Sequence, residues 1–392
     1  MTLLLTLIEG VGLYVAWWLR SLIAWRDPRA PMTLRRFIVL LLGMPIFLLV
    51  QLVHATCLLL DELLFPSYRK IAIKRPLFIT GIPRSGTTFL HRTLAVDGER
   101  YTTLTTWEAL LAPSIVQRRI IQGLARIDGL LGGPGRRILG VLTRRLAGRL
   151  TEIHEVGLEA AEEDYLALLP AAGCFILLLA FPGAIGLQRL GHLDRQMPCN
   201  RRQRLLRFYR SCLQRHLYSD GGRRFLLSKN AAFGSWITGL QAICPDARFI
   251  LCIREPLAAL SSQISSIDSA RALFGTAVNS EALQRLFAHQ FAETLEHMAA
   301  TVPNSPTNRI AVVDMADLGA DPATVIPATL VRLDIPVSQA LMVHLAMLPR
   351  RQPSRHQHSV DRLALPSGEL EQRLYPPYHR LADLPHRTRI AT

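Results

Sequence analysis

Residues 76–95 read PLFITGIPRSGTTFLHRTLA, an apolar run that enters a glycine-bounded loop and leaves it as a helix. Strand, tight loop and helix in that order make a cradle for an anion. Successive backbone N–H groups and the positive end of the helix bind phosphate without help from a particular side chain. The spacing Gly81-x-x-x-x-Gly86 is that of a nucleoside-triphosphate loop, yet Thr87 stands where such loops carry the lysine that reaches the β and γ phosphates. The cation lies inside the loop instead, at Arg84.

A second passage from strand to helix, ARFILCIREPLAALSSQISS at 247–266, places Arg254 just after an apolar run and Ser262 on the first turns of the helix that follows. An arginine fork and a hydroxyl so placed can converge on one dianion. Between the two passages lies FLLSKNAAFGSWITGLQAICPDARFI, 225–250, in which a short strand ends at Lys229 and Pro245-Asp246 turns the chain into the next strand. Taken singly, each has an ordinary reading: an empty glycine turn, a solvated arginine, a lysine at a strand end. Together and in this order they point to one anionic ligand.

These segments resemble the sulfotransferase superfamily, enzymes that move a sulfonate from 3′-phosphoadenosine 5′-phosphosulfate to a hydroxyl or amine. GIPRSGTT is similar to the family's 5′-phosphosulfate loop and Arg254…Ser262 to its 3′-phosphate motif. Lys229 matches the lysine of a Lys-Ser-Pro tripeptide, from which Asn230 and Ala231 depart. The resemblance covers roughly residues 72–385 and is strongest to a bacterial branch that is also similar to the tyrosylprotein sulfotransferases. Weaker signatures are TTWEAL (105–110), HEVGLEAAEEDYLAL (154–168), VVDMADLGADP (312–322) and RHQHSVDRLAL (355–365).

The resemblance implies that Arg84, Ser85, Gly86, Thr87 and Thr88, with Arg254 and Ser262, bind the donor, and that Arg84 and Lys229 stabilise charge during transfer. It leaves two candidates for the general base. Glu108 follows the second strand much as the base of the tyrosylprotein branch does, although its spacing from the loop arginine is not identical. His154 competes with it, because a histidine titrates nearer neutrality and other sulfotransferases use one.

Apolar runs at 72–80, 102–106, 224–228, 247–253 and 309–314 alternate with helical patterns, the mark of an α/β fold whose central parallel sheet is covered on both faces. The expected architecture is a P-loop-containing three-layer domain over 65–392, preceded by N-terminal hydrophobic helices. Ligands in such sheets sit beyond the carboxyl ends of the strands, where Gly81, Lys229 and Arg254 all fall. The mostly helical stretch 110–222 is assigned to the acceptor side.

Residues 1–64 form two apolar runs joined by a basic link containing Arg26, Arg29, Arg35 and Arg36. The second, 38–60, is long enough to span a bilayer. On a helix, however, Thr2, Thr6, Glu9 and Arg20 of the first run fall within about 60° of one another, a narrow polar stripe that favours lying in the membrane interface. Basic residues flank both ends of the second run, so the positive-inside rule gives no orientation. We expect a separable helical anchor on the cytoplasmic face of a membrane, with a true span, or burial against the catalytic domain or a second subunit, as the alternatives.

The 392 residues carry a net charge of +15, which favours anionic company. The arginines lack the aromatic interleaving or fold signature of a nucleic-acid reader. Six cysteines without C-x-x-C or zinc spacing read as reduced thiols and imply no metal. A nucleotide phosphotransferase would share the first loop but would want a loop lysine and a metal-holding aspartate. A non-catalytic membrane scaffold retaining the fold is the other alternative. The acceptor, whether small molecule, glycan or lipid, and the oligomeric state are left open, with an amphiphilic alcohol preferred because of the N-terminal helices.

Overall fold

The computed structural model describes residues 2–135, 137, 140, 161, 163–274, 281–348 and 363–389. Its sheet is built from β1 (Leu77–Gly81), β2 (Tyr101–Thr102), β3 (Phe225–Lys229), β4 (Arg248–Ile253) and β5 (Ile310–Asp314), in the spatial order β2-β3-β1-β4-β5. All four pairings are parallel. Every residue of β1, β4 and β5 is buried, which is why these strands read as continuous apolar runs rather than as alternating ones. The register sets Gly81 against Cys252 and Ile253 against Asp314, so the three strands end level and the loops that leave them share one edge. The chain order reverses beside β1, whose neighbours are β3 and β4, and that reversal opens a crevice at the carboxyl ends.

All five expected strands are present. The second is far shorter than expected, because Thr105 already caps α4 (Thr106–Leu110). The first part of the helix expected at 155–169 lies outside the described residues, and its last part is the 3₁₀ helix Asp164–Ala171. The helix Ser367–Ala382 contains Pro376 and Pro377, residues that ordinarily end one. It persists because buried Leu370, Leu374 and Leu381 join the core, and because Tyr375 donates to Glu255 and Tyr378 to Asp314.

The apolar N-terminus forms α1 (Thr2–Ile23) and α2 (Leu34–Leu64), each long and apolar enough to cross a membrane. They pack on each other and on the catalytic body. The buried faces follow helical spacing: Thr6, Leu7, Gly10, Tyr14 and Trp17 on α1, and Arg36, Leu40, Met44, Gln51, His54, Leu58 and Asp61 on α2. Glu9 accepts hydrogen bonds from Arg201 and Arg204, and the Tyr14 hydroxyl donates to the Leu169 carbonyl. Asp61 accepts from the backbone N–H groups of Ile115 and Val116, each at 2.9 Å, and pairs with Arg215 at 2.8 Å with both side chains fully buried.

The polar stripe of α1 is divided, with Thr2 and Arg20 exposed, Thr6 buried and Glu9 part-buried. Glu9 faces the catalytic body, while Leu4, Leu5, Ile8 and Leu19 of α1 and Phe37, Leu42, Ile46 and Leu49 of α2 are exposed. The expected boundary at residue 64 runs across these contacts rather than through a linker.

Candidate active site

β1 delivers its last residue, Gly81, hard against β4. Its φ is 141°, and a Cβ there would lie 2.0 Å from the Cys252 carbonyl oxygen, so no other residue fits. The loop closes on Gly86, at φ 87°, which opens α3 (Thr87–Ala95). Within the loop Arg84 also takes the left-handed conformation, at φ 65°, at a strain of about 1–3 kcal/mol for a side chain with no local reason to be there. Three contacts enforce it. Arg254 Nη1 donates to the Arg84 carbonyl at 3.0 Å, Arg84 Nε donates to Ser262 Oγ at 3.0 Å, and Ser85 Oγ donates to the Ile82 carbonyl at 2.6 Å. Residues from two distant segments thus meet on one loop: Arg84 and Arg254 reach the cavity, and Ser262 is buried behind Arg84. Burial pulls the Arg84 guanidinium below its ordinary range.

The cavity beyond the strand ends has a volume of about 620 Å³. Arg84, Gly86, Thr87, Thr88, Lys229 and Arg254 line its sheet side, and among the described residues Glu163 is the one carboxylate in the lining. Lys229 Nζ lies 2.7 Å from Glu163 Oε1. The opposite side is apolar, with Tyr165, Leu166, Leu169, Phe175 and Ile176 from the stretch expected to form the acceptor side. Phe287 and Phe291 of the helix Glu281–Thr301 complete it, so that stretch supplies only part of the wall.

A buried polar network braces the Glu163–Lys229 pair. Asp164 accepts from the Tyr209 hydroxyl at 2.7 Å and from Asn230 Nδ2 at 3.3 Å, and Tyr209 also lies 3.2 Å from Ser228 Oγ. Residues on both sides of Lys229 are therefore fixed to the residue that follows Glu163. Asn230, a departure from the tripeptide pattern, has a job here. Burial, against the hydrogen bonds that Asp164 accepts, raises its pKa to about 6. Because the folded value exceeds the ordinary carboxylate value, its contribution to stability is full below about pH 4 and is lost as the pH rises through about 6. We expect this group to cost roughly 3 kcal/mol between those limits, at about 1.4 kcal/mol per pKa unit. Thermal denaturation of the wild type and of Asp164→Asn across that range should differ by this component, and identical pH profiles would contradict it.

Glu108 is not placed to act as a base at this cavity, whose lining takes in its neighbours Thr106 and Leu110 but not Glu108 itself. Its carboxylate closes the capping box of α4, accepting from the Thr105 N–H at 3.0 Å, and pairs with the buried Arg118 at 3.1 Å. Burial would raise its pKa, but the His216 hydrogen bond and the Arg118 charge outweigh it and hold the carboxyl down at about 2. A group so occupied is a poor proton acceptor near neutrality. His154 lies outside the described residues. Glu163 was not singled out from the sequence, because HEVGLEAAEEDYLAL offers five carboxylates and residue type alone does not rank them.

Residues 192–339 match the model of the sulfotransferase family. No curated protein sequence matches the chain. Among solved structures, the fold is similar to that of the sulfotransferase STF9 from Mycobacterium avium, with a TM-score of 0.69 and 16% identity over 87% of this chain and 85% of that one. It is also similar to the sulfotransferase STF1 from Mycobacterium tuberculosis H37Rv, with a TM-score of 0.65 and 18% identity over 94% of this chain and 92% of that one. An overlap of that extent leaves too little chain outside it to exclude both N-terminal helices.

Proposed function

Since residues 192–339 match the sulfotransferase family model and the fold is similar to that of solved sulfotransferases, we propose that the chain transfers a sulfonate from 3′-phosphoadenosine 5′-phosphosulfate to a hydroxyl, or an amine, of an amphiphilic, lipid-like acceptor. The observation that carries this reading is the two-sided cavity, cationic and lined by N–H donors at the sheet edge and apolar opposite. The residues fit such a donor: Gly86, Thr87 and Thr88 bring the start of α3 to the cavity, and three cations outnumber the single carboxylate among its described lining residues. When bound, the donor supplies a sulfonate activated by a phosphate leaving group.

The chain's own groups do the rest. Arg84 and the hydroxyls of Thr87 and Thr88, with the loop N–H groups, hold the phosphosulfate, while the buried Ser85 hydroxyl, expected to join them, donates to the Ile82 carbonyl and keeps the loop in shape. Arg254 and Ser262 serve the 3′-phosphate, and their contacts to Arg84 tie the two phosphate subsites into one rigid unit. Lys229 neutralises the leaving phosphate, and to do so it releases Glu163. Glu163, freed inside a largely apolar cavity, takes the proton of the acceptor. The apolar wall binds the acceptor's body and keeps water out.

The N-terminal helices would hold this site at a membrane surface. One face of each is committed to the catalytic body, so neither can cross a bilayer without breaking those contacts, whereas their exposed apolar faces can sink into the interface. The free thiols favour the cytoplasmic side.

Incubation with sulfur-labelled donor and total lipid and metabolite extracts tests the reading. We expect label in an amphiphilic product, identifiable by mass spectrometry and absent with Lys229→Ala. Label confined to small water-soluble acceptors would remove the lipid-like acceptor. Absence of transfer to any acceptor, simple phenols included, would remove sulfonate transfer itself.

A further inference from the structure

A second cavity, of about 340 Å³, lies between the end of α1, the α1–α2 turn and residues Phe181–Ala184. Among the described residues, Arg20, Arg29 and Arg36 line it against a single carboxylate, Asp27. That carboxylate is already spent: Oδ1 accepts from the Arg29 backbone N–H at 3.0 Å and from Nε at 2.9 Å, and Oδ2 from Nη2 at 3.0 Å. Arg36 is only 2% exposed. Its Nη2 donates to the Ala180 carbonyl at 2.7 Å, while Nε and Nη1 have no partner.

A buried guanidinium with unmade hydrogen bonds and no free counter-ion is costly, and an anion with several acceptor oxygens removes that cost. Phosphate is the natural complement, since the guanidinium fork matches two of its oxygens. The surroundings indicate where the phosphate comes from. Exposed Ile23 lines the cavity, exposed Trp25 and Leu34 stand in the α1–α2 turn and at the start of α2, and both helices carry further exposed apolar residues. A basic hole inside an apolar collar is the arrangement that meets headgroups and acyl chains together.

We propose that this cavity binds the phosphate of an anionic phospholipid headgroup. The segment Phe181–Ala184 that lines it continues from Phe175–Leu179, which lines the larger cavity, so a headgroup held here sets the larger cavity's wall at the lipid surface. The inference stands on these residues and does not depend on the reaction catalysed next door.

Flotation of the full chain with vesicles of phosphatidylcholine, with and without added phosphatidylglycerol, reads the lipid arm. Thermal denaturation in rising inorganic phosphate reads the soluble arm. We expect the wild type to prefer the anionic vesicles, and Arg36→Gln to lower that preference at least fivefold. Arg20→Gln, at an exposed position, should lower it in the same direction without touching the Ala180 contact, and it carries the test if Arg36→Gln does not fold. The double variant Arg26→Gln, Arg35→Gln removes two exposed charges outside the cavity and should cost less than either single change. If it costs as much, the attraction is diffuse surface charge and the site is overturned. If inorganic phosphate stabilises the protein through Arg36 while the vesicles do not discriminate, the cavity takes free phosphate and the lipid assignment is overturned. Loss of both responses in no variant overturns the proposal outright.

Discussion

Replacing Glu163 by glutamine should lower turnover by about 10² to 10⁴, the contribution typical of a positioned general base. The change conserves volume and leaves an oxygen to accept from Lys229, so the cavity should keep its shape; only proton uptake is lost. Donor affinity should stay the same or rise, because Lys229 is no longer held by a carboxylate at 2.7 Å. Glu108→Gln should behave differently. It weakens a buried pairing with Arg118 and His216, so its main effect should be on thermal stability, with turnover per folded molecule largely retained. Steady-state kinetics on one acceptor, with the folded fraction measured in parallel, separates the two. If Glu108→Gln, or His154→Ala, abolishes turnover in a folded protein while Glu163→Gln keeps it, Glu163 is not the base.

The second large effect concerns the joint between the N-terminal helices and the catalytic body. Asp61→Asn removes the fully buried one of two carboxylates that pair with the Arg215 guanidinium and leaves Glu62 at 2.8 Å, so the cost should fall toward the lower end of the about 3–5 kcal/mol for breaking a buried pair from one side. The loss should appear in the melting of the whole domain, because Asp61 also accepts from two backbone N–H groups at the start of α5 (Ile115–Leu130). A chain lacking residues 1–64 should accordingly be unstable rather than merely released from membranes. Normal melting of Asp61→Asn, or a stable truncated domain, would show that the helices are an appendage after all.

The sheet and the cradle were legible because their signals are local. Continuous apolar runs mark strands buried on both faces, and Gly81 and Gly86 stand at positions where the backbone permits little else. The convergence of Arg84, Lys229 and Arg254 on one edge followed from parallel topology alone. What was not legible depends on contacts between distant segments. The periodicity that finds the polar stripe of α1 does not say whether the stripe meets water or Arg201 and Arg204. The helix through Pro376 and Pro377 is held by tyrosines reaching Glu255 and Asp314, which no local propensity reports. Likewise Glu108 and Glu163 are both carboxylates near a strand end. Only the partners differ: Arg118 and a capping box for one, Lys229 and an open cavity for the other.

The central claim is that the cradle and the Arg254–Ser262 pair together read a nucleotide phosphorylated at both the 5′ and 3′ positions. Titration calorimetry of adenosine 3′,5′-bisphosphate against AMP and ATP tests it most directly. The bisphosphate should bind well and the others weakly, and Arg254→Ala should cost about 2 kcal/mol or more and erase most of the discrimination, as expected for a charged hydrogen bond to phosphate. Equal affinity for AMP and the bisphosphate, or discrimination that survives Arg254→Ala intact, would contradict it.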